Sequence, residues 1–375
     1  MLRNTISLLL LCGASLSFGQ IQLLNDEFND VRSIINWKNI NIEEQWGIEQ
    51  LEHYSINDTT AGKMVMIPRT ASWFEGYRGP LLYKEASGNF TITTKVDILG
   101  RDNPDLPELD YNLAGIMIRH VREYPNGALG MNGWASTDNN YIFLAAGAAA
   151  LDHPTCVGCP APHFEVKNTT DGISNLRVAS IDTASTLIRI TRIDDVFIVM
   201  YRLESDHVWV VHERFQRNDF PDTLQVGLVV YTDWTKVSSL PTVTHNSTQI
   251  EGAECSGTPC DPDIIGEFEY FRFDSVSVPN GIGSNFMDEN DVTNAELLEF
   301  LSFSSVEYCP DQLHITEPID SNSYQRFQAM SFISFADTVA ENSIITISAS
   351  DSITFSNGFI TQNGVIVEVD TTGCN

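Results

Sequence analysis

Aromatic residues that stand beside charged ones, in segments rich in glycine and proline, are the part of this sequence best suited to chemistry. Residues 73–80 place Trp73 and Tyr77 next to an acid and Arg78, in a turn region where core packing explains them poorly. Sugar rings stack on exposed aromatic faces while neighbouring polar groups read their hydroxyls. Trp134 follows a glycine-rich turn, and Trp234 stands at a strand end. The residues predicted to face a ligand are Trp73, Tyr77, Arg78, Trp134, His163 and Trp234.

A polysaccharide lyase would need a base and a group that neutralises a uronate carboxylate. Arg119 and His120 are adjacent on a predicted strand, so their side chains point to opposite faces. The full set of candidates shows no diagnostic spacing, and lyase chemistry stays an open alternative. These candidates are Tyr77, Arg78, Arg119, His120, His163 and Tyr231.

A glycoside hydrolase would need two carboxylates about 5 to 10 Å apart across the scissile bond. Alternate residues of a strand share a face, so a local run of acids could supply them. Residues 108–110 begin such a run, but Leu113 stands where the next carboxylate is required. Residues 267–269 begin another, and Arg272 takes the later position. A hydrolase would therefore have to use carboxylates that are distant in sequence.

The first 19 residues read as a signal peptide, with Arg3 before an apolar run and cleavage expected near Gly19 and Gln20. The run is too short for a membrane-spanning helix. Loss of Arg3 would change the formal net charge from −29 to −30. This acidity argues against nucleic acid and anionic membranes as partners. We expect a secreted or cell-surface protein without a transmembrane segment, whose partner is a polysaccharide or an oligosaccharide.

Of the seven cysteines, Cys12 lies in the signal segment and six remain. An even number in an exported chain indicates disulfides. Proximity suggests three pairs, which are Cys156 with Cys159, Cys255 with Cys260, and Cys309 with Cys374. Six cysteines allow many other pairings. The series His153, Cys156, Cys159 and His163 also has spacing that could bind zinc.

Calcium is the cofactor to consider, because acidic residues stand near both ends of the first domain. Asp26, Glu27 and Asp30 precede the first strands, and Asp274 lies in the last one. Carboxylate clusters suit Ca²⁺ if the two ends meet in space. The predicted ligands are Asp26, Asp30 and Asp274, and a solvated acidic edge is the alternative. No other cofactor is expected.

Runs rich in Val, Ile, Phe and Tyr, separated by short polar turns, indicate an all-β protein. Residues 186–232 contain four such runs and predict an antiparallel meander, a piece of a β-sandwich. Residues 90–98 alternate and place Phe90, Ile92, Thr94, Val96 and Ile98 on one face. Residues 101–110, 152–175 and 237–266 read as long polar loops.

The predicted domains are a signal peptide at 1–19, a β-sandwich at 20–279, a linker at 280–308 and a small module at 309–375. Thr293 and Glu296 have the spacing of a capping box and predict a short helix in the linker. The final module alternates short β-like runs with turns, which predicts a stacked β-roll.

The segments SGNFTITTKV, AGIMIR, FEVKNTTDGIS, LIRITRIDDVFIVMYRL and DTLQVGLVVYTDW together carry a resemblance. Residues 25–278 resemble the concanavalin A-like lectin/glucanase superfamily, and within it the DUF1349-type and β-xylosidase C-terminal-type domains. The resemblance implies a jelly-roll sandwich, often with a structural cation. It leaves function open, because the superfamily includes lectins, binding modules, hydrolases and lyases.

The segment SIITISASDSITFSNGF is similar to C-terminal β-stack modules of exported Bacteroidetes proteins. That similarity implies a polysaccharide-foraging context, such as the use of marine algal glycans. We expect a carbohydrate-binding β-sandwich protein without catalytic residues of its own. A polysaccharide lyase or glycoside hydrolase on the same fold is the alternative, and a structural surface protein is the third reading.

Overall fold

Two antiparallel sheets stacked face to face make up most of this protein, as the prediction of an all-β sandwich requires. The structure is a computed structural model that describes residues 21–101, 106–107, 111–122, 129–150, 161–204, 208–232, 234–250, 262–302, 312–316, 318–322 and 324–371. The strands of the sandwich are β1 (Lys38–Asn39), β2 (Leu51–Ile56), β3 (Met64–Pro68), β4 (Leu81–Ser87), β5 (Phe90–Leu99), β6 (Asn112–Arg119), β7 (Tyr141–Ala150), β8 (Ala161–Thr170), β9 (Ile173–Ser180), β10 (Ser185–Ile193), β11 (Val196–Leu203), β12 (Val210–Gln216), β13 (Thr223–Tyr231), β14 (Ile265–Phe268) and β15 (Arg272–Ser275).

The strand order in the described residues defines two sheets around one core. The first sheet runs β1-β4-β13-β6-β7-β8-β9. The second runs β12-β11-β10-β5-β14-β3-β2, with β15 also paired to β5. Side chains at alternate positions of both sheets meet in this core, which confirms the predicted inward face of β5 at Phe90, Ile92, Val96 and Ile98.

The predicted four-strand meander is confirmed for three strands and wrong for the fourth. β10, β11 and β12 pair in sequence within the second sheet. β13 instead crosses to the first sheet and lies between β4 and β6. Phe220, in the connection, packs into the core as the chain changes sheets. Nearly every residue of β13 is buried, as a central strand requires.

A second difference concerns residues 152–175, which the sequence suggested were a loop. From Ala161 onward they form β8, and β9 follows it in a hairpin in which Thr170 pairs with Ile173. Asp171 and Gly172 have φ of 49° and 71°, the left-handed conformations that a two-residue turn uses. The tight turn at Asp171-Gly172 joins β8 to β9, and pairing with β7 on its other side places β8 in the first sheet.

The short helices are α1 (Ile40–Glu43), α2 (Trp234–Val237), α3 (Thr242–Ser247) and α4 (Asn294–Leu301), and 3-10 turns occupy Ile21–Leu24, Val31–Asn36 and Ser136–Asp138. The predicted capping box begins α4: Glu296 N donates to Thr293 Oγ1 at 3.2 Å, and Thr293 N donates to the Glu296 carboxylate at 2.8 Å. Residues of α4 and the segment before it, Phe286 and Leu297 among them, pack on the outer face of the second sheet. This part of the linker is thus a packed cover.

The C-terminal module is a small parallel β-solenoid, as the stacked pattern predicted. Its strands are β16 (Gln312–Ile315), β17 (Tyr324–Ala329), β18 (Phe332–Phe335), β19 (Thr338–Val339), β20 (Ile344–Ala349), β21 (Ser352–Phe355), β22 (Ile360–Thr361) and β23 (Ile366–Asp370). Gln312 pairs with Phe332 and Phe332 with Ser352, a spacing of 20 residues, whereas Ile344 pairs with Ile366 at a spacing of 22 residues. Apolar side chains of successive coils stack in one narrow core that includes Phe335 and Ile347.

The solenoid contacts the sandwich through the N-terminal segment. Arg32 donates to the Glu368 carboxylate at 2.8 and 2.9 Å, and Leu23 packs against the solenoid core. Among the described residues, no helix has the length and apolar character needed to cross a membrane.

Candidate functional site

The outer face of the first sheet is covered by loops and contains the candidate site. Aromatic and aliphatic side chains of β4, β6, β7 and β13 form a second buried cluster there, and Trp73 packs onto it from the loop before β4. A solvated face would normally be polar. The cover therefore buries this face of the sheet. A polar group there costs free energy unless it has a hydrogen-bond or charge partner.

Within this covered face is a cavity of about 70 Å³, which we name the Glu165 cavity. Polar groups from β8 and β13 lie together with aromatic residues from the loops. The lining residues are Ser72, Phe74, Tyr111, Glu165, Lys167, Leu176, Tyr231 and Trp234.

Glu165 and Lys167 lie two residues apart on β8, so both side chains point to the outer face of the sheet. Glu165 is 0% exposed and Lys167 2% exposed. The ammonium of Lys167 forms an ion pair with the Glu165 carboxylate. Oε1 of Glu165 carries this ion pair, and the Tyr231 hydroxyl is a second partner of the carboxylate. The carboxylate is charge-compensated, and two partners leave part of its roughly four lone-pair sites open to further donors.

The Lys167 ammonium is fully engaged. It donates to the carbonyl oxygen of Trp73 at 2.5 Å, and it lies 4.7 Å from the ring centroids of Phe143 and Tyr231. Burial lowers its pKa, and the Glu165 carboxylate opposes that change. Ion pairing, hydrogen bonding and cation–π contacts together offset the cost of burying the cation.

Tyr231 adds a hydroxyl to the cavity, held in its protonated form. Burial first, and then the charge of Glu165, raise the pKa of Tyr231 well above its ordinary value. A hydrogen bond between this hydroxyl and Glu165 raises the pKa further. A neutral phenol of this kind donates a hydrogen bond and does not abstract a proton near neutral pH.

The mouth of the cavity is aromatic. Phe74 and Trp234 meet edge to face with ring centroids 4.9 Å apart, and Tyr77 meets Trp234 with centroids 5.5 Å apart. All three side chains are partly exposed. Trp234 begins α2 directly beyond the end of β13, so the strand fixes its place beside Tyr231.

A buried histidine holds the loop that forms the cover. Ser72 N donates to His245 Nε2 at 3.2 Å, so this nitrogen carries no proton, and His245 Nδ1 donates to Asn246 Oδ1 at 2.8 Å. Asn246 Nδ2 then donates to the carbonyl of Gly76 at 2.9 Å. Burial lowers the pKa of His245 to about 4. α3 therefore fixes the loop through a neutral imidazole.

The structure separates the residues predicted to face a ligand. Trp234 lines the cavity, and Tyr77 packs beside it and donates to the Leu240 carbonyl at 2.8 Å. Trp73 is 0% exposed, and its indole N–H donates to the Pro80 carbonyl at 3.0 Å. An exposed stacking role for Trp73 is therefore corrected to a packing role.

The other three lie away from the cavity lining. Arg78 is buried, with its guanidinium 4.2 Å from the Trp46 ring centroid. Trp134 packs edge to face on Trp46 at 6.1 Å. His163 is buried on β8, where its Nδ1 lies 2.7 Å from the Ala161 carbonyl. Arg78 and His163 are thus corrected from exposed loop residues to interior ones.

The residues predicted to bind calcium have other contacts in the structure. Asp26 already accepts hydrogen bonds from Phe28 N at 3.0 Å and from Trp37 Nε1 at 2.9 Å. Asp30 caps a 3-10 turn and pairs with Arg32 at 2.7 Å. Asp274 lies on β15 opposite Thr91. No group of three or more acidic, histidine or cysteine residues in the described chain could hold a metal. The structure therefore shows no calcium site among the described residues, and calcium binding at Asp26, Asp30 and Asp274 stays a prediction.

Two residues considered for lyase or hydrolase chemistry form ion pairs within the protein. Arg119 is buried and donates to Glu44 at 2.5 Å, and Glu267 pairs with Lys63 at 2.8 Å. The acidic run at 108–110 and the predicted zinc ligand His153 lie outside the described residues.

The predicted disulfides also lie outside the part of the chain that the structure describes, so all three pairs stay predictions. The cysteines concerned are Cys156, Cys159, Cys255, Cys260, Cys309 and Cys374. The same holds for zinc binding at Cys156 and Cys159.

Sequence reasoning missed Glu165 and Lys167 as site residues. The signal was present, since residues 163–167 alternate polar and apolar a short distance before Asp171-Gly172. Alternation of this kind predicts a half-buried strand, whose polar face is expected to be in water. Only the loop that covers this face makes the pair an interior feature.

No family model matches this chain, and neither does any curated protein. Among solved structures, it is similar to a functionally unknown protein from Saccharomyces cerevisiae at 14% identity and a TM-score of 0.39, over 65% of this chain and 99% of that one. It is also similar to a glycoside hydrolase family 43 protein from Bacillus licheniformis at 11% identity and a TM-score of 0.41, over 67% of this chain and 39% of that one.

A third similarity is to carbohydrate-binding module 66 from Bacillus subtilis at 10% identity and a TM-score of 0.33, over 64% of this chain and 96% of that one. The strand order of the chain itself defines the fold as an antiparallel β-sandwich followed by a parallel solenoid.

Proposed function

We propose that this protein binds carbohydrate through the Glu165 cavity. The observation that carries the proposal is a fully buried, charge-paired carboxylate in the lining of a cavity whose mouth is aromatic. Lys167 and Tyr231 leave part of the lone-pair sites of this carboxylate open, and water or a ligand can donate to them. A ligand that brings several hydroxyls can do so.

The arrangement matches the two surfaces of a sugar ring. Phe74 and Trp234 offer apolar faces and edges to the C–H side of a pyranose, which is the usual role of aromatic residues in sugar sites. Glu165 accepts and Tyr231 donates on the polar side. Because the cavity holds about 70 Å³, it takes the end of a chain or one edge of a terminal unit, below the roughly 300 to 1,000 Å³ of sites that enclose a whole drug-sized ligand.

The cellular setting is part of the proposal. Residues 1–19 act as a signal peptide, the protein works outside the cytoplasm or at the cell surface, and it supports polysaccharide use, including use of marine algal glycans. The predicted disulfides, Cys156 with Cys159, Cys255 with Cys260, and Cys309 with Cys374, fit that setting. The proposal also includes the domain boundaries, with the signal peptide ending at 19, the sandwich at 279 and the linker at 308.

Binding is favoured over hydrolysis or elimination by the lining of the cavity. Glu165 is the one carboxylate among the described lining residues, whereas a glycosidase uses two. Tyr231 stays protonated, so it is poorly suited to act as the base of a lyase. A lyase or hydrolase on this fold is the competing function that the experiment must separate.

The test is incubation of the purified mature protein with a panel of plant and algal polysaccharides. Retardation in affinity gels, without new reducing or unsaturated ends, is the expected result. Product that forms with wild type and is lost in Glu165→Gln would establish an enzyme instead. Absence of retardation by every glycan would contradict carbohydrate binding.

A further inference from the structure

We infer that the Glu165 cavity selects an uncharged saccharide unit and rejects a unit that carries sulfate or uronate. This inference rests on the proposed carbohydrate binding and names the charge class of the ligand. Three features of the cavity carry it: the acceptor character of Glu165, the engagement of Lys167 and the acidic surroundings.

The first feature is the demand for donors. Glu165 is fully buried, and its partners Lys167 and Tyr231 leave some of the roughly four lone-pair sites of a carboxylate open. A carboxylate accepts hydrogen bonds and donates none. Hydroxyl groups on adjacent carbons of a sugar can donate to it, whereas a sulfate or a uronate carboxylate would place acceptor against acceptor and charge against like charge.

The second feature is that the one cation in the described lining is already used. Lys167 pairs with Glu165, donates to the Trp73 carbonyl and lies against aromatic rings. An anionic ligand would have to displace these contacts to gain a partner. Without a counter-charge, burial of an ionised group is strongly unfavourable.

The same ammonium argues against a cationic ligand such as an amino sugar. Phe74 and Tyr231, two of the aromatic rings that line the cavity, already face the Lys167 ammonium at 5.5 and 4.7 Å. A second cation at these rings would meet like charge. The pair Glu165 and Lys167 thus leaves the cavity neutral as a whole.

The third feature is the acidic field around the cavity. Glu75 is exposed in the cover loop next to Phe74, and the chain as a whole has a formal net charge of −29. A field of this sign slows the approach of polyanions at low salt. Neutral glycans approach and bind without that penalty.

The test compares neutral and anionic forms of the same backbones: homogalacturonan methyl ester with polygalacturonate, and dextran with dextran sulfate. Xylan with and without glucuronate side chains extends the set. For any backbone that binds, wild type is expected to bind the neutral form at least about tenfold more tightly, with little dependence on salt. Equal or tighter binding of the anionic form would overturn the inference and leave carbohydrate binding intact. Binding of no glycan would contradict the proposed function, and the inference with it.

Two variants at the pair sharpen the result. Glu165→Gln keeps the shape and releases Lys167 from its ion pair, so the ratio of neutral to anionic affinity should fall by about tenfold. Glu165→Gln with Lys167→Met removes both charges, and the ratio should return toward the wild-type value. A ratio that is the same in wild type and Glu165→Gln would contradict selection by this pair. A merely structural role would lower all affinities together.

Discussion

Lys167 on strand β8 donates a 2.5 Å hydrogen bond to the main-chain carbonyl of Trp73, in the loop that covers the sheet. This contact joins the floor of the Glu165 cavity to its cover. Since the same ammonium pairs with Glu165, the charge pair and the shape of the cavity depend on one another. Stability and ligand binding should therefore respond together to changes at Lys167.

Lys167→Met should destabilise the protein by about 3 to 5 kcal/mol, because it leaves the Glu165 carboxylate buried without its cation. Glu165→Gln combined with Lys167→Met should unfold at a higher urea concentration than Lys167→Met alone, since no charge is then stranded. Urea unfolding followed by circular dichroism measures both. Equal midpoints for the single and double variants would show that the ion pair has no role in stability.

The free energy of unfolding should fall as the pH drops from about 6.5 toward 4, in part because of His245. Its folded pKa of about 4 lies below the ordinary value near 6.5, so the unfolded chain binds the proton more tightly in this window. The contribution is on the order of 3 kcal/mol at neutral pH and is lost as the pH falls through that range.

His245→Gln removes the titrating group and keeps a side chain that can form hydrogen bonds. The variant should lose less of its unfolding free energy than wild type between pH 7 and 4.5. Urea titrations at the two pH values give this difference, and other acidic groups contribute equally to both proteins. Matching losses in the two proteins would exclude His245 as the source.

The sequence predicted much of the framework because its signals there are local. The inward face of β5, three strands of the meander and the capping box of α4 follow from alternation and turn chemistry. Alternation and turn chemistry do not predict the change of sheet at β13. The choice of sheet depends on long-range pairing with β4 and β6 and on the burial of Phe220 in the core.

The candidate site was harder to predict for the same reason. Glycine and proline around Trp73 suggested an exposed turn, but they serve close packing: a Cβ on Gly79 would lie 2.9 Å from Trp73 Cδ1. The loop folds back onto the sheet and buries Glu165, which in the sequence has the spacing of a solvent-facing strand residue. Burial created by a distant loop leaves no local pattern.

Ile347→Ala should destabilise the solenoid by about 2 to 5 kcal/mol, because Ile347 is fully buried in its stacked core. Ile366→Ala, at a half-exposed position of the last coil, is the matched control and should change stability by less than about 0.5 kcal/mol. Hydrogen exchange of β17 to β23 reports the local effect. Glycan retention should be unchanged in both, and loss of retention in Ile347→Ala would assign the solenoid a part in binding.

The central claim, that the Glu165 cavity is the carbohydrate site, is tested most directly by tryptophan fluorescence during titration with an oligosaccharide of a retained glycan. Trp234 lines the cavity, whereas Trp134 is also partly exposed but packs on Trp46 away from the lining. Trp234→Ala should lose the fluorescence response and at least about tenfold in affinity, while Trp134→Ala keeps both. Unchanged affinity in Trp234→Ala, or its loss in Trp134→Ala instead, would contradict the assignment.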